Sequence, residues 1–373
     1  MNKILTIILA MTAMCVVVSC SDDDEVGSEY LAAKQISVAR STVSDMPAEG
    51  GEGIVEVQSS RDVSVSSNSA WCSFSMDNGV IKVIVEPNTG LEGRTAILTI
   101  TDGSETMTVP VLQRGMIFEV SGEKSITLAG HIDEKVIRTV SHTYPVSVSA
   151  TKDWIDASID GEELTISIAK GNGQEPVRKG VVKVSSCGYE DQIEITQYDF
   201  TGAYNLSGYD AKGQPISYSG NIIGGETVDR LYFCPSDFAG VQIPMDFSLE
   251  SLYLSFSAGS YCQRYGRFYV YSSLVDVKTV PDPNHPENKG AVALNDTVII
   301  GGNIMMDSGN VTCSFSNEGK GSWLSDIMLS CGNIHAVTFT ATTFRLNTST
   351  VQNIALARNI LMEIEQPVLD KIQ

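Results

Sequence analysis

The amino-acid sequence repeats itself at an offset of 83 residues, and this repeat constrains the fold more than any other feature. Trp71 recurs as Trp154, and the tetrapeptide Val-Ser-Val-Ser begins eight residues before each tryptophan. The matching segments extend over roughly 80 residues per copy. Each copy is long enough to bury a core of its own. The chain therefore carries a tandem repeat, with copies at residues 35–115 and 116–199.

Both copies are patterned as β-strands. Apolar and polar residues alternate in short segments broken by Gly, Asn and Asp, and helical periodicity is almost absent. Each copy offers about seven such segments, the number that closes as an antiparallel sandwich of two sheets. Residues 200–373 continue the strand–turn–strand pattern. The predicted fold class is all-β, with two tandem immunoglobulin-like sandwiches followed by a larger antiparallel β barrel or sandwich.

A set of spaced residues connects the first copy to a known family. Trp71-Cys72 follow a polar loop, Asn-Thr-Gly occupies residues 88–90, Arg94 opens the next strand, and the closing strand ends in Val-Leu-Gln-Arg-Gly at residues 111–115. This arrangement resembles the BACON domain. The resemblance implies an immunoglobulin-like sandwich of the kind found on surface proteins of glycan utilisation. In such proteins the domain is associated with carbohydrate binding, or it serves as a spacer.

The repeated tryptophans have two interpretations. An exposed indole can stack on a sugar ring, but a sandwich domain of this size usually buries one Trp between its sheets. Because Trp71 and Trp154 occupy the same repeat position, we expect both to be structural core residues. Cys72 stands where the second copy has Ile155, which predicts a small buried side chain rather than a nucleophile. The second copy also departs from the family pattern after Gln197, where Tyr-Asp replaces Arg-Gly.

The N-terminus predicts a lipid anchor. Lys3 precedes an apolar run that is too short to span a bilayer, and the run ends in Val-Val-Ser-Cys, which resembles the bacterial lipobox. Residues 1–19 are then a cleaved signal peptide, and Cys20 carries a diacylglycerol and a further acyl chain such as palmitate. Residues 20–34 form an acidic tether, and its first residues, Ser-Asp-Asp-Asp-Glu at 21–25, resemble a surface-export signal. We expect an outer-membrane lipoprotein facing the cell surface; the alternatives are the periplasmic leaflet and an ordinary secretory signal.

The charge of the chain excludes some partners. The sequence has 25 Lys and Arg against 45 Asp and Glu, for a net charge of −20. Cleavage of the signal removes only Lys3, which makes the mature chain −21. A polyanion of this size is repelled by nucleic acid and by anionic lipid headgroups. We therefore expect no nucleic-acid partner.

Residues 200–373 hold most of the aromatic residues and the candidate binding site. The opening segment and the strand around Arg267 loosely resemble the lipocalin-like domains that accompany BACON units. Strand alternation places Arg267, Tyr269 and Tyr271 on one face, and Trp323 follows a Gly-rich turn. Tyrosine rings and a guanidinium suit a sugar, so these four residues are the tentative ligand site. The alternative for each is a half-buried structural position.

Two segments of this region have weaker patterns. Residues 276–295 are rich in Pro and Gly and predict a long loop. The tail from residue 351 to residue 364 fits a strand or a short helix, and the sequence leaves this open.

Catalytic and metal motifs are absent from the sequence. It contains no nucleophile elbow, no HExxH and no phosphate-binding loop, and its four histidines lack metal-site spacing. No CxxC pair is present. We therefore predict a protein that is not an enzyme and needs no cofactor or metal. The disulfide connectivity of the last region stays open among four cysteines, namely Cys234, Cys262, Cys313 and Cys331.

These observations favour one function. The leading hypothesis is a non-catalytic surface lipoprotein that binds a glycan for a polysaccharide-utilisation system, with the BACON-like units as spacers. Its partners would be the outer membrane through the lipid, a polysaccharide and proteins of an uptake complex. The alternatives are a structural or adhesion lipoprotein that contacts another protein, and a carrier of a small apolar ligand. The oligomeric state stays open.

Overall fold

In the computed structural model, every described element of secondary structure is a β-strand. The described residues are 36–210, 212–257, 259–282, 285–293, 299–307, 309–317, 343–350, 352 and 359–372. Within residues 274–293 only the backbone is described. The chain divides into two compact units, one ending at Gly115 and the other beginning at Met116.

The first unit contains a sandwich of two antiparallel sheets. Its strands are β1 (Ile36–Ser41), β2 (Gly51–Ser59), β3 (Ser64–Ser67), β4 (Cys72–Asp77), β5 (Val80–Val85), β6 (Arg94–Thr101) and β7 (Thr106–Gln113). One sheet has the order β1-β2-β5-β4, and the other has the order β3-β6-β7. The core between the sheets is aliphatic, with Ile81, Val83 and Leu98 fully buried.

Strand β5 shows why this sequence forms a half-buried sheet. Ile81, Val83 and Val85 are buried while the residues between them are exposed, which is the two-residue period of a strand with one face on the core. The turn before it, Asn78-Gly79, has positive φ angles of 49° and 79°. Positive φ at both central residues is typical of the two-residue hairpin turn that Asn-Gly favours.

The second sandwich repeats this arrangement. Its strands are β8 (Phe118–Val120), β9 (Ser125–Ala129), β10 (Glu134–His142), β11 (Ser147–Ala150), β12 (Ile155–Asp160), β13 (Glu163–Ile168), β14 (Val177–Ser186) and β15 (Tyr189–Tyr198). The sheets have the orders β12-β13-β10-β8 and β11-β14-β15-β9. Strand β9 pairs in parallel with β15, and in the first unit the parallel bridge from Met46 to Gln113 occupies the same place. The predicted tandem of immunoglobulin-like sandwiches is confirmed.

The last region forms a closed barrel with an additional lobe. Its strands are β16 (Gly202–Tyr209), β17 (Pro215–Gly224), β18 (Arg230–Pro235), β19 (Ile243–Ser248), β20 (Tyr253–Ser257), β21 (Tyr261–Tyr265), β22 (Phe268–Asp282), β23 (His285–Ala293), β24 (Ile299–Asp307), β25 (Asn310–Ser314), β26 (Ser316–Asn317), β27 (Thr343–Ser349) and β28 (Asn359–Lys371). Eight antiparallel strands close the barrel in the order β16-β17-β18-β19-β20-β24-β25-β28, because β28 pairs with both β25 and β16. The sheet continues from β28 through β27, β22 and β21, and β23 pairs with β22; these four strands form the additional lobe. Of the two predicted alternatives, barrel and sandwich, the barrel is present.

The barrel interior is packed with large side chains. Tyr204 and Phe233 are fully buried, and the Phe256 ring lies 4.7 Å from Phe315 and 5.1 Å from Phe344, measured between ring centroids. Aromatic contacts at these distances stabilise a core beyond their buried area. The barrel therefore has an aromatic core, unlike the aliphatic core of the first sandwich.

The additional lobe corrects one prediction and decides another. The prediction of a loop at residues 276–295 is wrong over most of that range, because β22 continues to Asp282 and pairs with β23. Within the described backbone β23 pairs with β22 alone, and a strand with one partner tolerates proline because its missing N–H need not join a ladder. The tail at residues 351–364, for which the sequence allowed a strand or a short helix, is a strand from Asn359 onward.

The second sandwich and the barrel belong to the same compact unit and share a buried boundary. Ala129 of β9 lies within the barrel's buried cluster, and the Phe200 ring is 5.7 Å from Phe247 of β19. His131 Nε2 donates a hydrogen bond to the Thr227 carbonyl oxygen at 3.0 Å. These contacts fix the orientation of the barrel on the second sandwich.

Candidate functional site

Each repeated tryptophan lies under an arginine. Trp71 directly precedes β4 and Trp154 directly precedes β12, and both indoles are half-buried against the core of their sandwich. The guanidinium carbon of Arg94 lies 4.2 Å from the Trp71 ring centroid, and Arg178 lies at the same distance from Trp154. A cation over an indole face at this distance is an attractive contact. The guanidinium groups therefore cover part of each ring that a sugar would need.

A buried glutamine completes this cluster in both sandwiches. Gln113 is 3% exposed, accepts a hydrogen bond from Arg94 Nε at 2.8 Å, and donates to the carbonyl oxygen of Glu86 at 2.9 Å. Gln197 is fully buried and accepts from Arg178 Nε at 2.5 Å. The spaced Trp, Arg and Gln residues that define the repeat thus form one structural contact set that ties strand ends to loops.

None of the cysteines that the structure describes forms a disulfide, and three of them are buried. Cys72 is 2% exposed and occupies the place of Ile155, and burial raises the pKa of its thiol. Burial also raises the pKa of Cys262 and of Cys313 to about 12. Thiols of this kind are poor nucleophiles at neutral pH. The structure pairs none of the cysteines it describes, and Cys331 lies outside the described residues.

Two clefts flank Trp154 in the second sandwich. They measure about 410 Å³ and 380 Å³ and share Asp153 and Trp154 in their walls. The larger cleft is lined by charged and amide side chains, including Glu175 and Arg178. Burial lowers the pKa of Arg178, an effect that nearby carboxylates oppose. These clefts are open to solvent and offer polar groups beside a half-buried indole.

A hairpin of the barrel lobe groups three tyrosines. We call residues 261–271, which comprise β21 and the start of β22, the tyrosine hairpin. Tyr261 pairs directly with Tyr271, and its ring centroid lies 5.5 Å from Tyr271 and 6.2 Å from Tyr269. The planes are tilted by 52° and 43°, so the rings form an angled cluster rather than the flat ladder that suits a long sugar face.

The tyrosines differ in exposure. Tyr261 is 38% exposed, Tyr269 is half-buried and Tyr271 is 6% exposed. Burial raises the pKa of Tyr271, with smaller contributions from the two neighbouring tyrosines. The opposite face of the hairpin carries Cys262 and Val270, which are fully buried in the barrel cluster. The hairpin is therefore held against the barrel by one face and offers mainly Tyr261 and Tyr269 on the other.

An arginine that the sequence analysis did not select joins this surface. Arg264 pairs with Tyr269, and its guanidinium carbon lies 4.9 Å from the Tyr269 ring centroid. Arg267 lies in the turn, with its guanidinium carbon 5.2 Å from the Phe268 ring centroid. Of the predicted site residues, the structure thus brings Tyr269 and Tyr271 together, whereas Arg267 lies in the turn and contacts Phe268 rather than either tyrosine.

Two predicted positions lie outside the described residues. Trp323 of the tentative ligand site and Cys20 of the lipobox both belong to segments that the structure does not describe. Their roles stay predictions.

The signal that could have found Tyr261 and Arg264 is the turn between the strands. Tyr265 pairs with Phe268 across the two residues Gly266 and Arg267. A glycine at the first position of a two-residue loop is a hairpin signal. A ladder counted back from that turn sets Arg264 opposite Tyr269 and brings Tyr261 within one residue of the position opposite Tyr271.

Metal and membrane-spanning features can be tested within the described ranges. There, no three His, Cys, Asp or Glu side chains are grouped as a metal site. The same part of the chain has no helix with the length and hydropathy to cross a bilayer.

One comparison by family concerns the first sandwich. Residues 61–114 match the family model described as "BACON: Putative binding domain, N-terminal". The match spans β3 to β7 and includes Trp71, Arg94 and Gln113. A search of curated proteins finds no relative of the chain.

Solved structures with similar folds share little sequence with the chain. A titin I-band fragment, I67–I69, is 7% identical with a TM-score of 0.25, over 76% of this chain and 94% of that one. A chimeric titin Z1Z2 is 11% identical with a TM-score of 0.22, over 44% and 96%. A protein from Bacteroides thetaiotaomicron is 16% identical with a TM-score of 0.20, over 26% and 98%. The family match confirms the resemblance of the first sandwich to BACON domains.

Proposed function

We propose that the protein is a non-catalytic lipoprotein of the outer membrane that binds a polysaccharide at the cell surface through the tyrosine hairpin. The observation that carries this proposal is the grouping of Tyr261, Tyr269 and Arg264 on the solvent side of β21 and β22. The ligand would be passed to proteins of an uptake complex. No cofactor takes part.

The chemistry of the hairpin suits a sugar ring. Aromatic faces attract the C–H groups of a pyranose, while phenol and guanidinium groups hydrogen-bond to its hydroxyls. Since Tyr271 is nearly buried, one or two rings are available for stacking. We expect a micromolar to millimolar dissociation constant, about −4 to −8 kcal/mol.

The two sandwiches support the binding domain as spacers. Their repeated tryptophans are half-buried and covered in part by Arg94 and Arg178. This arrangement favours a structural role for both indoles. The packed aromatic interior of the barrel also weighs against the alternative of a carrier for a small apolar ligand.

The binding site is tested by calorimetry on the mature chain with a panel of neutral and acidic glycans. Tyr261→Ala and Tyr269→Ala should each weaken binding by about tenfold, since each removes a stacking surface worth roughly 1–1.5 kcal/mol. Tyr189→Ala is the matched control, because Tyr189 is also 38% exposed but lies in the second sandwich. Trp323→Ala tests the remaining predicted residue.

The proposal would be overturned by folded Tyr261 and Tyr269 variants that bind every glycan as the unmodified chain does. Binding that is lost in the Tyr189 variant would instead locate the site in the second sandwich.

The anchor is tested separately at Cys20. Cleavage and acylation should make the protein partition into detergent and incorporate a fatty-acid label. Cys20→Ala should release the protein into the soluble fraction and abolish labelling. Surface exposure is measured by protease treatment of intact cells. A Cys20→Ala variant that stays membrane-bound would contradict the lipobox interpretation.

A further inference from the structure

We infer that the glycan recognised by the tyrosine hairpin is anionic, a polysaccharide that carries carboxylate or sulfate groups. This inference rests on the proposed function and names the ligand class for the same surface. It depends on the charges of the hairpin and on the contacts of its two arginines.

The hairpin has the opposite charge character to the chain as a whole. Residues 259–273 contain Arg264 and Arg267 and no Asp or Glu, whereas the chain has 45 acidic residues against 25 Lys and Arg. Both arginines are exposed. The hairpin itself therefore carries two positive charges and no negative one, and Arg264 lies over Tyr269.

Neither hairpin arginine has a carboxylate partner among the described residues. The guanidinium groups of Arg264 and Arg267 contact aromatic rings at 4.9 Å and 5.2 Å instead. Other arginines do form ion pairs: Arg230 lies 2.8 Å from Asp246, and Arg40 lies 3.7 Å from Glu56. A guanidinium stacked on a ring keeps its N–H groups at the edge, free to form two parallel hydrogen bonds with an oxyanion.

The balance of hydrogen-bond donors also favours an anionic ligand. An arginine has five N–H donors and no acceptor. A neutral sugar hydroxyl donates as well as accepts, so a site for neutral sugar benefits from carboxylates, which this hairpin lacks. A carboxylate or sulfate accepts only, and it matches the donors of Arg264 and Arg267.

The net charge of −20 does not prevent such binding. At physiological ionic strength charges beyond about 8 Å are screened, so a ligand at the hairpin is governed by the groups near it. A nucleic acid carries one charge per about 1.7 Å along the duplex and would extend its charge over the acidic surface. A polysaccharide with one charge on each sugar is less densely charged and meets less repulsion.

The test compares polymers that differ only in charge. Calorimetry on the mature chain would use polygalacturonate and its methyl ester, and a sulfated galactan and its desulfated form, at 20 and 200 mM NaCl. We expect at least tenfold tighter binding to one of the charged polymers than to its neutral counterpart. The affinity for that polymer should fall severalfold at the higher salt concentration.

Variants separate the arginines from general charge effects. Arg264→Gln and Arg267→Gln should each weaken binding to the charged polymer severalfold and leave binding to its neutral form unchanged. Arg40→Gln, which removes the same charge from the first sandwich, should have no effect. Loss of the preference for charge in the Arg40 variant would contradict the assignment to the hairpin.

The outcomes distinguish the two proposals. Equal binding to charged and neutral polymers that depends on Tyr261 would overturn the inference and leave the proposed function standing. Absence of binding to every polymer here and to the full glycan panel would overturn both.

Discussion

At the scale of single residues, the two buried glutamines connect strand ends to neighbouring loops. Gln113 Nε2 donates to the carbonyl oxygens of Pro47 and Ala48 as well as that of Glu86, and Gln197 Nε2 donates to the Ala169 carbonyl oxygen at 3.2 Å. Each side chain also orients the arginine above the neighbouring tryptophan. Removing one partner of a buried hydrogen bond is costly because the remaining group cannot reach water.

Gln197→Ala should therefore lower the free energy of unfolding by about 1–3 kcal/mol. It leaves Arg178 Nε without its buried partner and removes one of the two hydrogen bonds to the Ala169 carbonyl oxygen, which keeps the one from Arg178 Nη2. The measurement is urea unfolding of the mature chain, followed by tryptophan fluorescence. Gln192→Ala is the control, because Gln192 lies on the same strand and is exposed. Equal effects of the two substitutions would show that burial of Gln197 does not matter.

At the scale of elements, the tyrosine hairpin depends on an irregular strand. Gln263 has a φ of 73°, and the pairing of β21 with β22 shifts by one residue between Tyr261 and Arg264. This β-bulge sets Tyr261 opposite Tyr271, where the register that runs from the turn would set Cys262. The Gly266 φ of 59° forms the turn that holds the two strands in this register.

Gly266→Val should weaken the hairpin and the glycan affinity together. A β-branched residue at positive φ costs about 1–2 kcal/mol. Among the described residues no atom lies within 4 Å of a Cβ added at Gly266, so the strain is confined to the backbone of the turn. Gly103→Val is a matched control, since Gly103 also has a positive φ, 86°, and open space around it, but lies in the first sandwich. Calorimetry and urea unfolding are measured on both variants. Unchanged glycan binding in a destabilised Gly266 variant would show that the binding site does not depend on the hairpin.

At the scale of the whole molecule, the second sandwich and the barrel are joined through a buried carboxylate. Asp199 is 1% exposed and accepts hydrogen bonds from the Gly173 amide at 2.8 Å and the Thr201 amide at 3.0 Å. Lys371 of β28 donates to the Thr201 carbonyl oxygen at 2.7 Å, and burial lowers the pKa of Lys371. We therefore expect the second sandwich and the barrel to unfold as one body.

Asp199→Ala should lower the melting temperature of that body by about 4–8 °C, the result of about 2 kcal/mol in a unit of this size. Scanning calorimetry of the mature chain should resolve two transitions, and only the transition of residues 116–373 should move. Asp191→Ala, which removes a partly exposed ion pair with Lys124, should change it little. Three separate transitions in the unmodified chain would contradict the coupling.

The sequence by itself determined the repeat, the two sandwiches and the strands whose faces alternate. These features follow from local patterns: Ile81 and Val83 point to the core because successive strand residues face opposite sides, and Asn78-Gly79 turns because it tolerates positive φ. The corresponding places of Trp71 and Trp154 follow from the same repetition.

Only the tertiary structure decided the barrel and the composition of the candidate site. Closure depends on β16 pairing with β28, whose partners Tyr204 and Lys371 are far apart in the chain, and no local pattern encodes such a pairing. Tyr261 reaches Tyr271 through a bulge at Gln263, a non-glycine residue whose positive φ local preferences oppose. The boundary at Asp199 likewise forms because groups distant in sequence exclude water together, and that condition exists only in the folded chain.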